Sequence, residues 1–428
     1  MTTLLDKPEF NEGQTAALAS MQEFLNSGQS FFVLRGPAGT GKTYTIKGLL
    51  RQIKGRVLLT APTNKATKVL RTAMRRPDGA QPECKTIYSA LGLKMEANGE
   101  IKQLSNPDPD DITDLSVYRL IVIDEGSMIP MQLWRHIEEA AIAWGVQFII
   151  MGDQFQLPPV NEKKSPVWTI DCQQAELWEV MRHDNQILTL VTGFRKIIDH
   201  PAPPIRIVTD FDDHGGVRKC TATSFEEEVN LAIDNGLFTK PEQAKIIAWR
   251  NVTVDTYNRY VRRRLYGPDT PFWVEGDRLI TTAPAHDLDD KPIAFTDDEG
   301  TVTRVTIQSH PIHEEFQVWR INVTFDDNRL ATLFSIHPNS ERAYKERVEE
   351  LAQSAKHNGR LWQKYWEFRE SFHSVRHAYA ITSHRSQGST YHTAFVLLND
   401  IMVNRDKPEA MRSLYVACSR PTTNLFLL

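Results

Sequence analysis

The segment "RGPAGTGKTYT", residues 35–45, sits between the apolar run "FFVL" and the helix-patterned "YTIKGLLRQI". Its glycines at 36, 39 and 41 free backbone N–H groups to wrap phosphate oxygens, and a helix opening directly after them adds favourable partial charge. Thr40 lies inside this turn, Lys42 is placed to reach β- and γ-phosphates, and the Thr43 hydroxyl is placed to ligate Mg²⁺. A strand before and a helix after are the context such a turn needs. Gln14, in "FNEGQTAAL", can present its amide to adenine through two hydrogen bonds, though taken alone it reads as an ordinary surface Gln.

Three further runs resemble "FFVL": "RVLLTAP", "RLIVIDE" and "VQFIIMGD". Each is short, continuous and β-branched, as suits a parallel strand covered on both faces. Chemistry-bearing residues follow each run, where an open α/β sheet binds its ligands. Asp124 and Glu125 close the second of the three. Asp124 suits Mg²⁺ coordination, direct or through water, and Glu125 suits a base that orients and deprotonates attacking water. Adjacent carboxylates point to hydrolysis rather than transfer to a bound acceptor.

The 428 residues allow two to four domains, and 41% apolar with 24% charged residues is ordinary for a globular chain. A net charge of −4 neither announces nor excludes a nucleic-acid groove. No apolar run approaches the ~18–20 residues that cross a bilayer. The start "MTTLLDKPEFNEGQ" lacks a secretory pattern. Cys84, Cys172, Cys220 and Cys418 form no CxxC pair, which argues against a zinc or iron–sulfur site and suits a reducing cytoplasm.

Asn98-Gly99 predicts a tight hairpin between "LKME" and "EIKQL", with "NPDPDD" leading back to the sheet. A second α/β pattern begins near residue 180 and includes the strand "KIIAWR" and the helix "VTVDTYNRYVRRRL". Arg262, Arg263 and Arg264 read as a solvated helix face, with phosphate contact as the alternative. "HAYAITSHRSQGS", "TAFVLL" and "NLFLL" resume the pattern near the C-terminus. Residues 272–375 interrupt it. "DRLITT", "GTVTRVTI" and "VWRINVTF" read as strands, the last with Ile321, Val323 and Phe325 alternating. Two helices follow, broken at Asn358-Gly359, with Trp362, Tyr365 and Trp366 on one face for packing or for base stacking.

Four stretches narrow the field: "TAPTNKATKVL" (60–70), "MGDQFQLPPV" (151–160), "AITSHRSQGST" (380–390) and "VACSRPT" (416–422). With them the chain resembles superfamily 1 helicases, and more narrowly the RecD/Dda group, from Gln14 to Arg420 with the main motifs in order. The resemblance implies an α/β fold of two RecA-like P-loop domains, the first from 1–86 and 117–178, the second from 179–271 and 376–428. Residues 87–116 would be an inserted β-hairpin pin, and 272–375 an inserted SH3-like β domain with a helical extension. Gln156 would sense the γ-phosphate. Arg182, in "EVMRH", and Arg420, in "LYVACSRPT", would neutralise charge on the γ-phosphoryl group.

Contacts to single-stranded DNA are implied for Thr63, Asn64, Thr86, Tyr88, Thr382, His384, Arg385, Ser386, Gln387 and Thr390. Relatives usually carry His where this chain has Tyr88. The implied activity is ATP hydrolysis driving 5′-to-3′ travel on single-stranded DNA, with duplex split at a pin made by Met95, Asn98, Gly99 and Ile101. The implied partners are single-stranded and forked duplex DNA, together with single-strand-binding or replication proteins. The same resemblance implies a monomer, no membrane, and a place in a bacterial or phage-infected cell. A translocase that displaces proteins, or a helicase acting on RNA, stays open. A regulatory ATPase or nucleotide kinase would leave "SHRSQGST" and "VACSRPT" unexplained.

Overall fold

The computed structural model describes residues 10–75, 82–95, 100–104, 113–180, 186–198, 207–212 and 214–428. It divides into two compact units. The first holds Met1–Arg218, Gln387–Ser389 and Met402–Thr423, and the second holds Lys219–Ser386, Thr390–Ile401 and Asn424–Leu428.

Unit 1 is built on a six-stranded sheet whose spatial order is Cys84–Thr86, Arg56–Ala61, Tyr118–Ile123, Gln147–Gly152, Phe31–Arg35 and Gln173–Glu176. Every pairing in it is parallel. Alternation along each strand feeds two cores. Val33, Leu58, Ile121, Ile123, Phe148 and Ile150 pack on one face against Leu133, Trp134 and Ile137 of the helix Met131–Trp144. Phe32, Leu34, Leu59, Val122, Ile149 and Met151 pack on the other against Met21, Phe24, Ile46 and Leu49 of the helices Glu12–Ser27 and Lys42–Leu50. Both faces are covered, which is why these runs are apolar at every position instead of every second one.

Leu93–Met95 and Ile101–Gln103 form a two-stranded antiparallel pair. Asn98, Gly99 and the return segment "NPDPDD" lie outside the described residues. Ile101 is buried in the first core, and the Gln132 side chain brackets its backbone, accepting from Ile101 N–H at 3.2 Å and donating to Ile101 C=O at 3.0 Å. Ile101 therefore roots the hairpin in the core and offers no exposed apolar wedge.

In unit 2, Ala244–Ala248 pairs in parallel with Ala380–Thr382 on one side and Tyr391–Val396 on the other. The helix Asn251–Tyr266 buries Val254, Asn258, Val261 and Arg262. Arg262 sits on that inward stripe, where Nε and Nη2 reach the fully buried Asp277 carboxylate at 2.8 and 2.9 Å. This corrects both readings of the Arg262 tract: of the three arginines, Arg263 and Arg264 are exposed and Arg262 is a buried ion-pair partner.

The same unit carries a five-stranded antiparallel sheet in the order Leu330–Ile336, Gln317–Phe325, Glu299–Ser309, Arg278–Thr281 and Val375–His377. Ile321, Val323 and Phe325 are all buried. The helices Pro338–His357 and Trp362–Glu370 follow, separated at Asn358-Gly359. Tyr365 and Phe368 pack inward, while Trp362 remains exposed. No helix among the described residues is long and apolar enough to cross a membrane.

Candidate active site

The turn after Phe31–Arg35 is shaped by its glycines. Gly39 and Gly41 take φ of 86° and 80°, where a side chain is strained. A Cβ on Gly41 would stand 2.5 Å from Gln14 Nε2, and one on Gly36 would stand 2.7 Å from Thr40 Oγ1 and 2.9 Å from Leu177 O. The helix Lys42–Leu50 opens at Gly41 without a side-chain cap, so its first N–H groups remain for an anion. Lys42 Nζ lies across the turn, donating to Gly36 O at 2.6 Å and Pro37 O at 2.9 Å. Thr40 is buried, with Oγ1 on Pro37 O at 3.0 Å, and Thr43 is half-buried in the first helical turn. A glycine cradle, an uncapped helix start and an ammonium at one place fit nucleotide phosphates, with Thr43 and Asp124 as the oxygen donors a Mg²⁺ ion would take.

Gln14 is buried behind this turn. Its Nε2 donates to Thr40 O at 3.2 Å, and its Oε1 accepts from Asn11 N at 3.3 Å in a capping box. Here the amide braces the phosphate loop, so pairing with adenine requires those bonds to be exchanged.

Asp124 and Glu125 follow the strand Tyr118–Ile123. Asp124 N donates to Thr60 O at 2.8 Å, and Asp124 Oδ1 accepts from Glu125 N at 2.8 Å. Glu125 adopts φ 53°, ψ 45°, a left-handed conformation seldom taken by a long side chain. The backbone after it is crowded: a Cβ on Gly152 would come within 2.9 Å of Gly126 N, and one on Gly126 within 2.8 Å of Ile150 Cγ2. Desolvation raises the Asp124 carboxyl against the pull of Lys42. Desolvation also pushes Glu125 up to about 7, with the Asp124 charge adding to the shift and Arg420 and Lys42 opposing it.

Arg420 is buried and within electrostatic reach of Glu125. It donates from Nε to Val416 O at 2.9 Å, from Nη1 to Ser389 O at 3.2 Å and from Nη2 to Ser419 Oγ at 2.7 Å. Gln156 is also buried, and its Oε1 has no partner among the described residues. Its backbone is held by groups that no short motif displays. Arg412 Nη1 donates to Gln154 O at 2.6 Å and Gln156 O at 3.3 Å, and Tyr415 donates its phenol to the buried Asp153 carboxylate. Burial and the Asp153 charge push the Tyr415 phenol well up, which keeps it a donor. Arg182 lies outside the described residues.

A family model described as an AAA domain matches residues 9–221, and one described as a UvrD-like helicase C-terminal domain matches residues 377–428. The chain is similar to the ATP-dependent DNA helicase Dda of Enterobacteria phage T4, 25% identical over 98% of this chain and 99% of that one. It is also similar to human PIF1, an ATP-dependent DNA helicase, 29% identical over 40% of this chain and 26% of the relative. Among solved structures, Bacteroides Pif1 helicase in complex with ADP-AlF3 and single-stranded DNA aligns with a TM-score of 0.53 at 16% identity, covering 98% of this chain and 92% of that one. Together these comparisons support a superfamily 1 helicase of the Dda/Pif1 group. Its fold is that of two RecA-like domains.

The residues that this helicase resemblance assigns to DNA differ in what they have to offer. The Thr63 and Thr86 hydroxyls cap short helices, accepting from Ala66 N and Ser89 N at 3.1 Å, with Asn64 opening the first of these helices. Tyr88 is half-buried against the first core, and burial lifts its phenol to about 12. Thr382 is buried and caps Arg385 N at 3.3 Å. Ser386 is fully buried, with its hydroxyl on Ser383 O at 2.7 Å, so it shapes the turn and presents nothing outward. His384 is exposed, and Arg385, Gln387 and Thr390 are half-exposed. Gln387 Nε2 donates to Ser127 Oγ at 3.2 Å, and a Cβ on Gly388 would lie 3.9 Å from Glu125 Oε1. Sequence reading missed Ser127, Asp153, Arg412 and Tyr415. Only the neighbourhood of Ser127 and Asp153 to the motifs "IDEGS" and "GDQ" gave any sign of them.

Proposed function

We propose that this helicase is an ATP-dependent DNA helicase that moves 5′-to-3′ along single-stranded DNA and parts duplex at the hairpin rooted by Ile101. The contact that supports this most is the one between Gln387 and Ser127: the loop expected to grip a strand meets the turn carrying Glu125. Strand occupancy then has a short path to the hydrolytic carboxylate.

When bound, Mg²⁺–ATP supplies the γ-phosphoryl electrophile. Lys42 and the glycine turn hold its phosphate oxygens, with Thr43 and Asp124 as metal ligands. Glu125, raised to about 7, takes the proton of the attacking water. Gln156 Oε1 orients that water, and Arg420, with Arg182, neutralises developing charge. For Arg420 this means exchanging its bonds to Val416, Ser389 and Ser419, and that exchange carries hydrolysis into movement of the strand-gripping loops. His384, Arg385, Gln387 and Thr390 form one grip, and Thr63, Asn64, Thr86 and Tyr88 the other. The domain limits proposed from the sequence keep residues 272–375 as an SH3-like insertion. At a fork such a motor meets single-strand-binding and replication proteins, works as a monomer, and acts in the cytoplasm.

The test is ATP turnover with and without oligo-dT, followed by forked duplexes carrying a 5′ or a 3′ tail. Stimulated turnover and unwinding of the 5′-tailed fork alone are expected. Turnover indifferent to the oligonucleotide would overturn the motor reading. Stimulation by RNA in place of DNA, or translocation without unwinding, would move it to the RNA-acting or protein-displacing alternatives. Trimming residues 95–101 should stop unwinding and spare translocation.

A further inference from the structure

The tip "FTDDEG", residues 295–300, places three consecutive carboxylates in the five-stranded β region of unit 2, and each meets a cation of the same unit. Asp298 Oδ2 accepts from Arg329 Nη2 at 2.6 Å, and Glu299 Oε2 accepts from the buried Lys245 Nζ at 2.8 Å. The first of the three, Asp297, pairs with Arg385 Nη1, in the loop "TSHRSQGST". This third pair differs from the other two. Both its side chains are about a third exposed (30% for Arg385 and 27% for Asp297), and its cation is one that the proposed function gives to DNA.

Two features of Asp297 show that the contact is held in place. Its backbone takes φ 66°, a left-handed conformation, and its N–H is fixed to Thr281 O at 3.0 Å. Thr281 also clamps the following residue, accepting from Asp298 N at 3.1 Å through Oγ1. The turn thus carries the carboxylate on a rigid mount. Among the described residues, both hydrogen bonds of the Arg385 guanidinium run through Nη1: one to Asp297 and one, at 3.5 Å, to Thr281 O. A guanidinium is a planar fork of five donors, so a partner at one nitrogen fixes the plane while leaving the Nε–Nη2 edge for a bidentate phosphate contact.

We infer that Asp297 is a positioning residue for strand binding: it orients Arg385 so that the Nε–Nη2 edge takes a backbone phosphate. This rests on the strand-binding reading of the Arg385 loop. It also gives the inserted β region a part in gripping DNA from a distance.

The test is fluorescence anisotropy of labelled oligo-dT across a salt series. Asp297→Asn, whose side chain tolerates the left-handed turn, should bind about 5–10-fold more weakly with an unchanged melting temperature. The slope of log affinity against log salt should flatten by about 0.7, the loss of one single-strand phosphate contact. Asp297→Gly, free to take the same φ, should match it. Arg385→Ala should lose as much, and adding Asp297→Asn to it should cost nothing more. Tighter binding by Asp297→Asn would show the carboxylate competing with phosphate and would overturn the inference. Unchanged binding beside a weakened Arg385→Ala would do the same. Unchanged binding by Arg385→Ala itself would fell the loop reading and this inference with it.

Discussion

The Asp124–Glu125 corner of unit 1 and the buried charges of unit 2 are partnered in opposite ways. In unit 2, Asp277 accepts from Arg262 at Nε and Nη2, from Val274 N at 2.9 Å and from the Tyr379 hydroxyl at 2.9 Å. Arg278 forks onto Asp326 at 2.6 and 2.7 Å, and Asp400 takes Trp249 N, Arg250 N, Arg250 Nε and Thr253 Oγ1. Asp277 and Asp400 each accept four hydrogen bonds, which fills their lone pairs. In unit 1, by contrast, no hydrogen bond or ion pair among the described residues reaches the Glu125 side chain, and Asp124 accepts only from the next backbone N–H. Saturated charge fixes a fold, whereas carboxylates left short of partners beside Lys42 and Arg420 are what the proposed metal, water and phosphate would require.

The largest effect that would break this comparison lies at the unsaturated site. Lys42→Ala should lower DNA-stimulated ATP turnover by on the order of 10²–10³-fold, and Glu125→Gln by on the order of 10²–10⁴-fold. Neither should lower the melting temperature, since neither group closes a saturated network. Turnover within a few-fold of the unsubstituted protein, in a steady-state phosphate-release assay, would mean that the charge beside the phosphate loop is structural after all.

The opposite result is expected at Asp277. Asp277→Asn leaves Arg262 buried without its counter-charge, which costs about 3–5 kcal/mol. Urea unfolding followed by tryptophan fluorescence should show it through Trp273, which is fully buried in the same β region. A change below about 1 kcal/mol would place this pair with surface ion pairs and erase the contrast between the units.

That contrast marks what the sequence could tell. The candidate nucleotide site could be proposed from sequence because its parts are contiguous: one eleven-residue turn and one Asp-Glu pair ending an apolar strand. Arg262 was not, because nothing local distinguishes it from Arg263 and Arg264. Only its spacing from Val254, Asn258 and Val261 puts it on the inward stripe, and its partner arrives from the next loop. Tyr415 and Asp153 meet across 262 positions, a separation no spacing rule covers. Thr63, Thr86 and Ser386 show a different limit. Short hydroxyls near a strand end serve helix caps and phosphates equally well, and here each is engaged by the backbone. Ile101 was expected to form part of the pin, and it pairs with Met95 on the turn side of the hairpin, but its side chain is buried in the first core, which no local pattern announces.

Acid should sharpen the same comparison, because unit 2 also buries neutral histidines. Burial lowers His373 and His377 from 6.5 to about 4, against the opposing pull of Asp277 on His377. His373 accepts from Phe334 N at Nδ1 and donates from Nε2 to His286 O, and His377 donates from Nε2 to Phe272 O. A depressed folded value means that the unfolded chain binds protons more readily. The stabilisation is therefore whole above about 6.5 and is lost as pH falls toward 4. At pH 5 each histidine costs about 2 kcal/mol relative to pH 7. Melting curves at pH 7 and pH 5 should differ accordingly, and His377→Phe should remove part of the dependence. A flat profile would show that these rings are already protonated or well solvated.

The smallest effect concerns the hairpin, which depends on a neutral contact where the rest of the comparison concerns charge. Gln132 holds Ile101 through both ends of its amide, continuing the pairing of the hairpin onto the helix Met131–Trp144. Gln132→Ala removes two hydrogen bonds worth about 1 kcal/mol each, too little to unfold a core that retains Ile101. It should still loosen the hairpin relative to the sheet that carries the nucleotide turn. If the hairpin parts duplex, strand separation depends on that stiffness and hydrolysis does not. A several-fold drop in forked-duplex unwinding with unchanged oligo-dT-stimulated ATP turnover is therefore expected, and Gln132→Glu, which keeps one acceptor, should fall between. Equal loss of both activities would instead place Gln132 within the motor. No loss of either would leave burial of Ile101 as the anchor that matters.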